Sequence, residues 1–146
     1  MLASLFGKPI STKGTILGFS ELDAFILVPV DESNTDSPFA YLQSATEPEI
    51  GFLVADPFAF YRDYELRLTE QDKAALATEN PREVAVLSIV TIANPFNQST
   101  INRLAPLVVH VDKLVGIQIV LPPESAYTTR DPLFGAPSPE GREPAC

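Results

Sequence analysis

The sequence has no tryptophan, one cysteine and one histidine, and only seven glycines among 146 residues. Each scarcity closes off a class of chemistry. The one cysteine is the last residue, Cys146, so no intrachain disulfide can form and no thiolate pair can hold a metal, which fits a reducing cytoplasm. Zinc needs three or four His and Cys ligands, and these are not there. Scattered glycines supply no phosphate cradle ahead of a helix, so neither a nucleotide nor another cofactor is expected. Long apolar runs are also missing. The strongest, Ala24 to Val30, is interrupted by Pro29, and Met1 to Lys8 has no basic stretch followed by an apolar segment of signal-peptide length. Insertion in a membrane is not expected.

Positive charge is scarce as well. Ten bases stand against nineteen acids, a net charge of −9, and such a field repels nucleic-acid phosphates and anionic lipid headgroups. Direct DNA or RNA binding is therefore not expected. The imbalance is local: residues 21 to 72 hold twelve acids and two bases, and the remainder is almost neutral. Such a segment serves solubility or steers a basic partner toward the protein.

What the chain does contain is strand-forming sequence. Short apolar runs recur at Thr15 to Phe19, Ala24 to Val30, Phe39 to Gln43, Ile50 to Asp56, Tyr64 to Leu68, Val84 to Ile92, Leu107 to Asp112 and Val115 to Leu121. They are rich in β-branched and aromatic residues and bounded by polar or Pro residues. Alternation is clearest where Tyr64, Leu66 and Leu68 face one way and Glu65 and Arg67 the other. One segment reads as a helix: Thr69 can cap it, Asp72 follows three residues later, Ala74 to Ala77 are good formers, and Asn80-Pro81 stops it. A helical turn is expected at Ser99 to Leu104, ahead of Pro106. Fourteen prolines punctuate the loops and protect sheet edges. The expected fold is all-β, a small antiparallel β-barrel-like domain with one or two short connecting helices. Residues 1–133 form that domain, and 134–146, with almost no apolar content, read as a disordered tail.

Catalytic chemistry finds little footing. His110 is the sole imidazole; on a strand Leu107 to Asp112 it would share a face with Asp112, and it reads as part of a solvated face rather than as a base. Asp31 to Asp36 lacks the spacing of a calcium loop and reads as solvated. Asp56 and Asp63 flank an aromatic turn of Phe58, Phe60 and Tyr61, but Asp56-Pro57 reads as a turn in which an Asx side chain bonds the backbone ahead. Those rings read mainly as turn or core packing, with one of them free to anchor a partner.

The ordered set Ser37-Pro38-Phe39, Tyr41-Leu42-Gln43-Ser44, Val54-Ala55-Asp56-Pro57-Phe58 and Asp63-Tyr64-Glu65 resembles the flagellar assembly factor FliW family. The resemblance continues in Ile89-Val90-Thr91-Ile92, Leu104 to Val109, Gly116-x-Gln118-x-Val120-Leu121 and Tyr127-x-Thr129-Arg130-x-Pro132-Leu133, and covers roughly residues 37 to 133. The beginning departs from the family pattern, because Phe6-Gly7 is followed quickly by Thr15 to Phe19, as though residues were missing.

This resemblance implies a cytoplasmic protein, not an enzyme, that binds and antagonises the RNA-binding translational regulator CsrA and binds flagellin as an alternative partner. It is expected to be a monomer when free. Asp56, Phe58, Phe60, Tyr61, Asp63 and Glu65 are the candidate partner-binding residues, the acids for a basic surface and the rings for apolar contact. Two other functions remain open at this point. One is a dedicated flagellin chaperone without CsrA binding; the other is a small β-barrel ligand binder or enzyme using Asp56, Asp63 or His110.

Overall fold

The structure, a computed structural model, describes residues 5–12, 14–16, 18–19, 21–30, 33, 37–78, 83–122 and 126–134. Nine strands follow in chain order: β1 (Pro9–Ser11), β2 (Ala24–Pro29), β3 (Phe39–Ser44), β4 (Gly51–Ala55), β5 (Val84–Thr91), β6 (Thr100–Ile101), β7 (Leu107–His110), β8 (Val115–Gln118) and β9 (Asp131–Pro132). Seven of them close a barrel in the order β4-β3-β2-β1-β8-β7-β5, with β5 returning to β4 through Val54↔Ile89 and Ala55↔Ser88. β6 and β9 add a short flap beyond the end of β5. Every ladder is antiparallel except β1 with β8, which meet in parallel at Ser11↔Val115. There Gly116 lets β1 approach, since a Cβ on it would lie 3.1 Å from Val109 Cγ2 and 3.3 Å from Ile10 Cγ2.

Strand alternation sorts the side chains into two layers. Ile10, Phe25, Leu27, Ala40, Leu42, Val54, Ala85, Leu87, Leu107 and Val109 fill the barrel interior. On β5 and β7 the alternate residues point outward and are nonetheless covered. Val84, Val86 and Val108 pack with Ile117, Ile119 and Leu121 beneath Tyr64, Leu66, Leu68 and Leu76. A third cluster of Ala55, Val90, Ile101 and Leu133 lies under Phe39, Phe60, Tyr61 and Phe134. Burial on both faces explains why β5 reads as a nearly continuous apolar run. The covering chain is the segment that follows β4. It turns through a 3-10 turn at Pro57–Ala59, crosses the outside of the barrel, and ends in helix α1 (Glu70–Leu76).

The helix begins as expected: Thr69 Oγ1 accepts from Asp72 N–H at 3.0 Å and Asp72 Oδ2 accepts from Thr69 N–H at 2.9 Å, a complete capping box. It stops earlier than Asn80-Pro81, because Ala77 adopts a left-handed conformation with φ of 56°. Other expectations need correction. No strand forms among the described residues of Thr15 to Phe19, where Gly14 and Gly18 take positive φ and bend the chain; the first strand is the three-residue Pro9–Ser11, too short to carry a pattern. Tyr64 to Leu68 keeps its alternating burial but joins no ladder. Ser99 to Leu104 is not a helical turn. Ser99 Oγ accepts from Ala93 N–H at 2.9 Å instead of capping, Phe96–Gln98 forms a 3-10 turn before it, and Thr100–Ile101 is β6. The Asp31 to Asp36 segment that reads as solvated, apart from Ser33, and tail residues 135–146 lie outside the described residues.

His110 also departs from its reading. It is 2% exposed, not on a solvated face, because β7 ends with it and the chain turns back over the ring. Its Nδ1 accepts from the N–H groups of Asp112 at 3.1 Å and Lys113 at 3.0 Å, and its Nε2 lies 3.5 Å from Glu83 Oε1. It meets the backbone of Asp112, not the carboxylate. The Thr78 hydroxyl, donating to Glu83 Oε1 at 2.6 Å, is the first reason that this carboxyl is held below its usual range; desolvation opposes the shift and His110 assists it. With Nδ1 committed as an acceptor, the neutral ring must carry its proton on Nε2. Long-range proton–nitrogen NMR is expected to show the Nε2–H tautomer; an Nδ1–H ring would contradict this turn.

Candidate functional site: an acidic strap beside an apolar groove

The segment from Tyr61 to Leu68 is a strap laid across the outer face of the barrel. Since no ladder secures it, side chains must. Tyr61 donates its hydroxyl proton to the Pro132 carbonyl, and Tyr64 donates to the Arg103 carbonyl at 2.7 Å. The Tyr127 hydroxyl accepts from Glu65 N–H at 2.9 Å. Between the three rings lies the Arg103 guanidinium, 3.6 Å from the Tyr61 ring centre, 4.7 Å from Tyr127 and 5.9 Å from Tyr64. Its Nε donates to Asp131 Oδ2 at 2.7 Å, with side chains only 14% and 10% exposed. Thr128 donates its N–H and hydroxyl to the same carboxylate. The strap is thus bound to β9 and to the loop ahead of β7 through one charged pair.

The six candidate residues divide between packing and surface. Asp56 Oδ1 accepts from Phe58 N–H at 3.0 Å and caps the 3-10 turn, as the Asp56-Pro57 step suggested. Phe60 stacks against Phe39 and Phe134 at 5.4 and 5.9 Å, and Tyr61 lies under Arg103. Phe58 stays 42% exposed beside Tyr64, and Asp63 and Glu65 are exposed. Asp56, Asp63 and Glu65 enter no ion pair among the described residues. Phe58 and Glu65 meet on one groove of about 650 Å³, whose apolar walls are Leu66, Leu68, Val84 and Val86 with Arg67 and Lys73 at its margin. Leu121, Pro122 and Tyr127 line a smaller one on the other flank of the strap.

Sequence reading missed Arg103 and Tyr127, which bond the strap from 39 and 62 residues away, and Asp131, which pairs with Arg103 across 28 residues. The groove walls carried a legible signal in the alternation of Tyr64, Leu66 and Leu68. A second exposed pair escaped notice on the outer barrel face, where Val28 stands opposite Tyr41, with the half-buried Leu53 next across the sheet. Among the described residues no group of His, Cys, Asp and Glu could hold a metal ion, and no helix is long and apolar enough to cross a membrane. His110 lies under the β7–β8 turn, away from both grooves' linings.

Tyr64 is 3% exposed, and burial raises its pKa above the ordinary tyrosine value, with Tyr127 adding to the shift and Arg103 opposing it. Tyr61 shifts the same way for the same first cause. Because the unfolded chain releases these protons first, stability must fall as pH rises past the ordinary value near 10. Tyr64→Phe is expected to reduce that alkaline loss in denaturation curves at pH 8 to 11, while costing about 1 kcal/mol at neutral pH for the lost hydrogen bond. An unchanged alkaline slope would contradict the assignment. Asp131→Ala strands a buried guanidinium and is expected to cost about 3–5 kcal/mol; a loss under about 1 kcal/mol would show that the pair does not hold the strap.

Comparisons with known proteins agree with this architecture. The FliW protein family model matches residues 7–133, which reaches back into the beginning that read as abbreviated. The flagellar assembly factor FliW of Bacillus subtilis (strain 168) is 41% identical over 120 residues, covering 82% of this chain and 81% of that protein. Its counterpart in Bacillus licheniformis is 39% identical over 128 residues, covering 88% and 87%. A crystal structure of the flagellar assembly factor FliW superposes with a TM-score of 0.79 at 32% identity, covering 88% of this chain and 86% of that one. A closed seven-strand barrel crossed by its own strap, matched over nearly its whole described length, establishes that this chain belongs to the FliW family of flagellar assembly factors.

Proposed function

We propose that this chain is a non-catalytic partner switch: it binds and antagonises the RNA-binding regulator CsrA, and flagellin competes for it. The observation that supports this most is the pairing of exposed, uncompensated carboxylates with an apolar groove at the strap. A basic RNA-binding surface is drawn to the acids, and Phe58 with the groove walls supplies the desolvated contact that charge alone does not give. The same field disfavours a phosphate backbone near the complex, so capture and exclusion of RNA have one electrostatic cause. Flagellin that accumulates before export would occupy this protein, release CsrA, and stop further flagellin synthesis; this places the switch in the cytoplasm. Asp56 acts in this reading by fixing the turn that presents Phe58, and Phe60 and Tyr61 by anchoring the strap, while Asp63 and Glu65 meet the partner.

Glu65→Lys tests the reading, because Glu65 contributes only its backbone N–H to the fold. The variant is expected to keep its melting temperature and lose CsrA affinity at least about tenfold, and raising salt is expected to weaken the wild-type complex. Unchanged affinity would remove Glu65 from the site, and a complex indifferent to salt would overturn steering by the acidic segment. Adding flagellin to the preformed complex is expected to release CsrA; binding of flagellin alone would instead favour a dedicated chaperone.

A further inference from the structure

The strap has an unfilled hydrogen-bonding side. Its burial alternates with period two from Tyr64 to Leu68, as in a strand, with Tyr64 buried, Leu66 and Leu68 half-buried, and Glu65 and Arg67 exposed. Yet among the described residues no hydrogen bond reaches the main-chain groups of Leu66, Arg67 or Leu68. Secondary structure satisfies such groups in almost every strand, and an extended segment left open is a template for another chain. The strap joins no ladder of the barrel: β5, beneath it, pairs with β7 over Val84 to Leu87, with β4 at Ser88 and Ile89, and with β6 at Val90 and Thr91.

The direction of the open groups follows from the one bond that is made. In an extended chain the N–H and C=O of a residue point to one side and those of its neighbours to the other. Glu65 N–H points to Tyr127, so the Arg67 groups share that flank. Leu66 and Leu68 therefore direct theirs to the opposite flank, where the wider groove opens between the strap and Phe58 above Val84 and Val86. Unpaired main chain and apolar floor lie together.

We propose that this groove captures its basic partner by strand addition: an extended segment of CsrA pairs with the main chain of Leu66 and Leu68 and lowers alternate apolar side chains onto Val84 and Val86. This deepens the function proposed above and rests on it. Charge selects the occupant. Asp63 and Glu65 stand exposed on the strap without ion-pair partners among the described residues, which favours a basic side chain opposite Glu65. Arg67, on the same face, disfavours a second base two positions along, so the pair of opposite charges also fixes register. Main-chain bonds supply affinity and the groove and charges supply selectivity, the division of labour usual in strand addition.

Amide-resolved hydrogen exchange by NMR tests this on the full chain, alone and saturated with CsrA. The Leu66 and Leu68 amides are expected to slow at least about tenfold in the complex, while Arg67, facing the other flank, stays within about twofold of its free rate. That alternation separates pairing from mere covering, which would slow all three alike. A complex that forms without slowing Leu66 and Leu68, or that slows the three equally, overturns strand addition and leaves CsrA as partner. Protection of Leu66 and Leu68 by flagellin but not by CsrA overturns the choice of occupant. Failure of CsrA to bind at all overturns both the partner and the pairing.

Discussion

One buried ion pair decides where the strap sits. Arg103, in the loop ahead of β7, reaches Asp131 on β9 at 2.7 Å, and the two together face Tyr61, Tyr64 and Tyr127. A pair so removed from water has little value unless further hydrogen bonds complete it, and here Thr128 donates twice to the carboxylate. Its consequence is spatial. The three rings around the guanidinium belong to the strap and to the segment before β9, so closing the pair also clamps the strap against the barrel.

Holding a segment by side chains instead of a ladder has a cost and a use. The cost is open main chain at Leu66 to Leu68, which an ordinary sheet would not tolerate on an apolar face. The use is that a protein whose barrel is closed, and which therefore has few edges to offer, retains one at a place where acids and an apolar groove coincide. Barrel closure and the strap are thus complementary. The first removes most edges, and the second leaves main-chain groups open beside the apolar groove.

Most of the barrel was legible because its strands alternate or run apolar at the expected length, as in Phe39–Ser44 and Val84–Thr91. Local chemistry was legible too: the Thr69/Asp72 capping box and the Asp56 cap depend on residues two or three apart. What failed was anything decided at long range. Alternation at Tyr64 to Leu68 gives the burial of a strand but cannot say that no neighbour pairs with it. Ser99 bonds Ala93 rather than capping a helix because β6 must align with β5 and β9. His110 is buried because the β7–β8 turn folds over it, which its position beside Asp112 did not reveal. Of the candidate site, the acids and Phe58 emerged from sequence, whereas Arg103 and Asp131, separated by 28 residues, carried no local signal.

The clamp predicts energetic coupling between residues that share no strand. A double-mutant cycle with Tyr61→Leu and Arg103→Met, followed by denaturant unfolding, measures it directly, since the ring lies 3.6 Å from the guanidinium. The account predicts a coupling of about 1 kcal/mol or more. Losses that add within about 0.5 kcal/mol would contradict it, and would mean that the strap is held by burial of its apolar side chains alone.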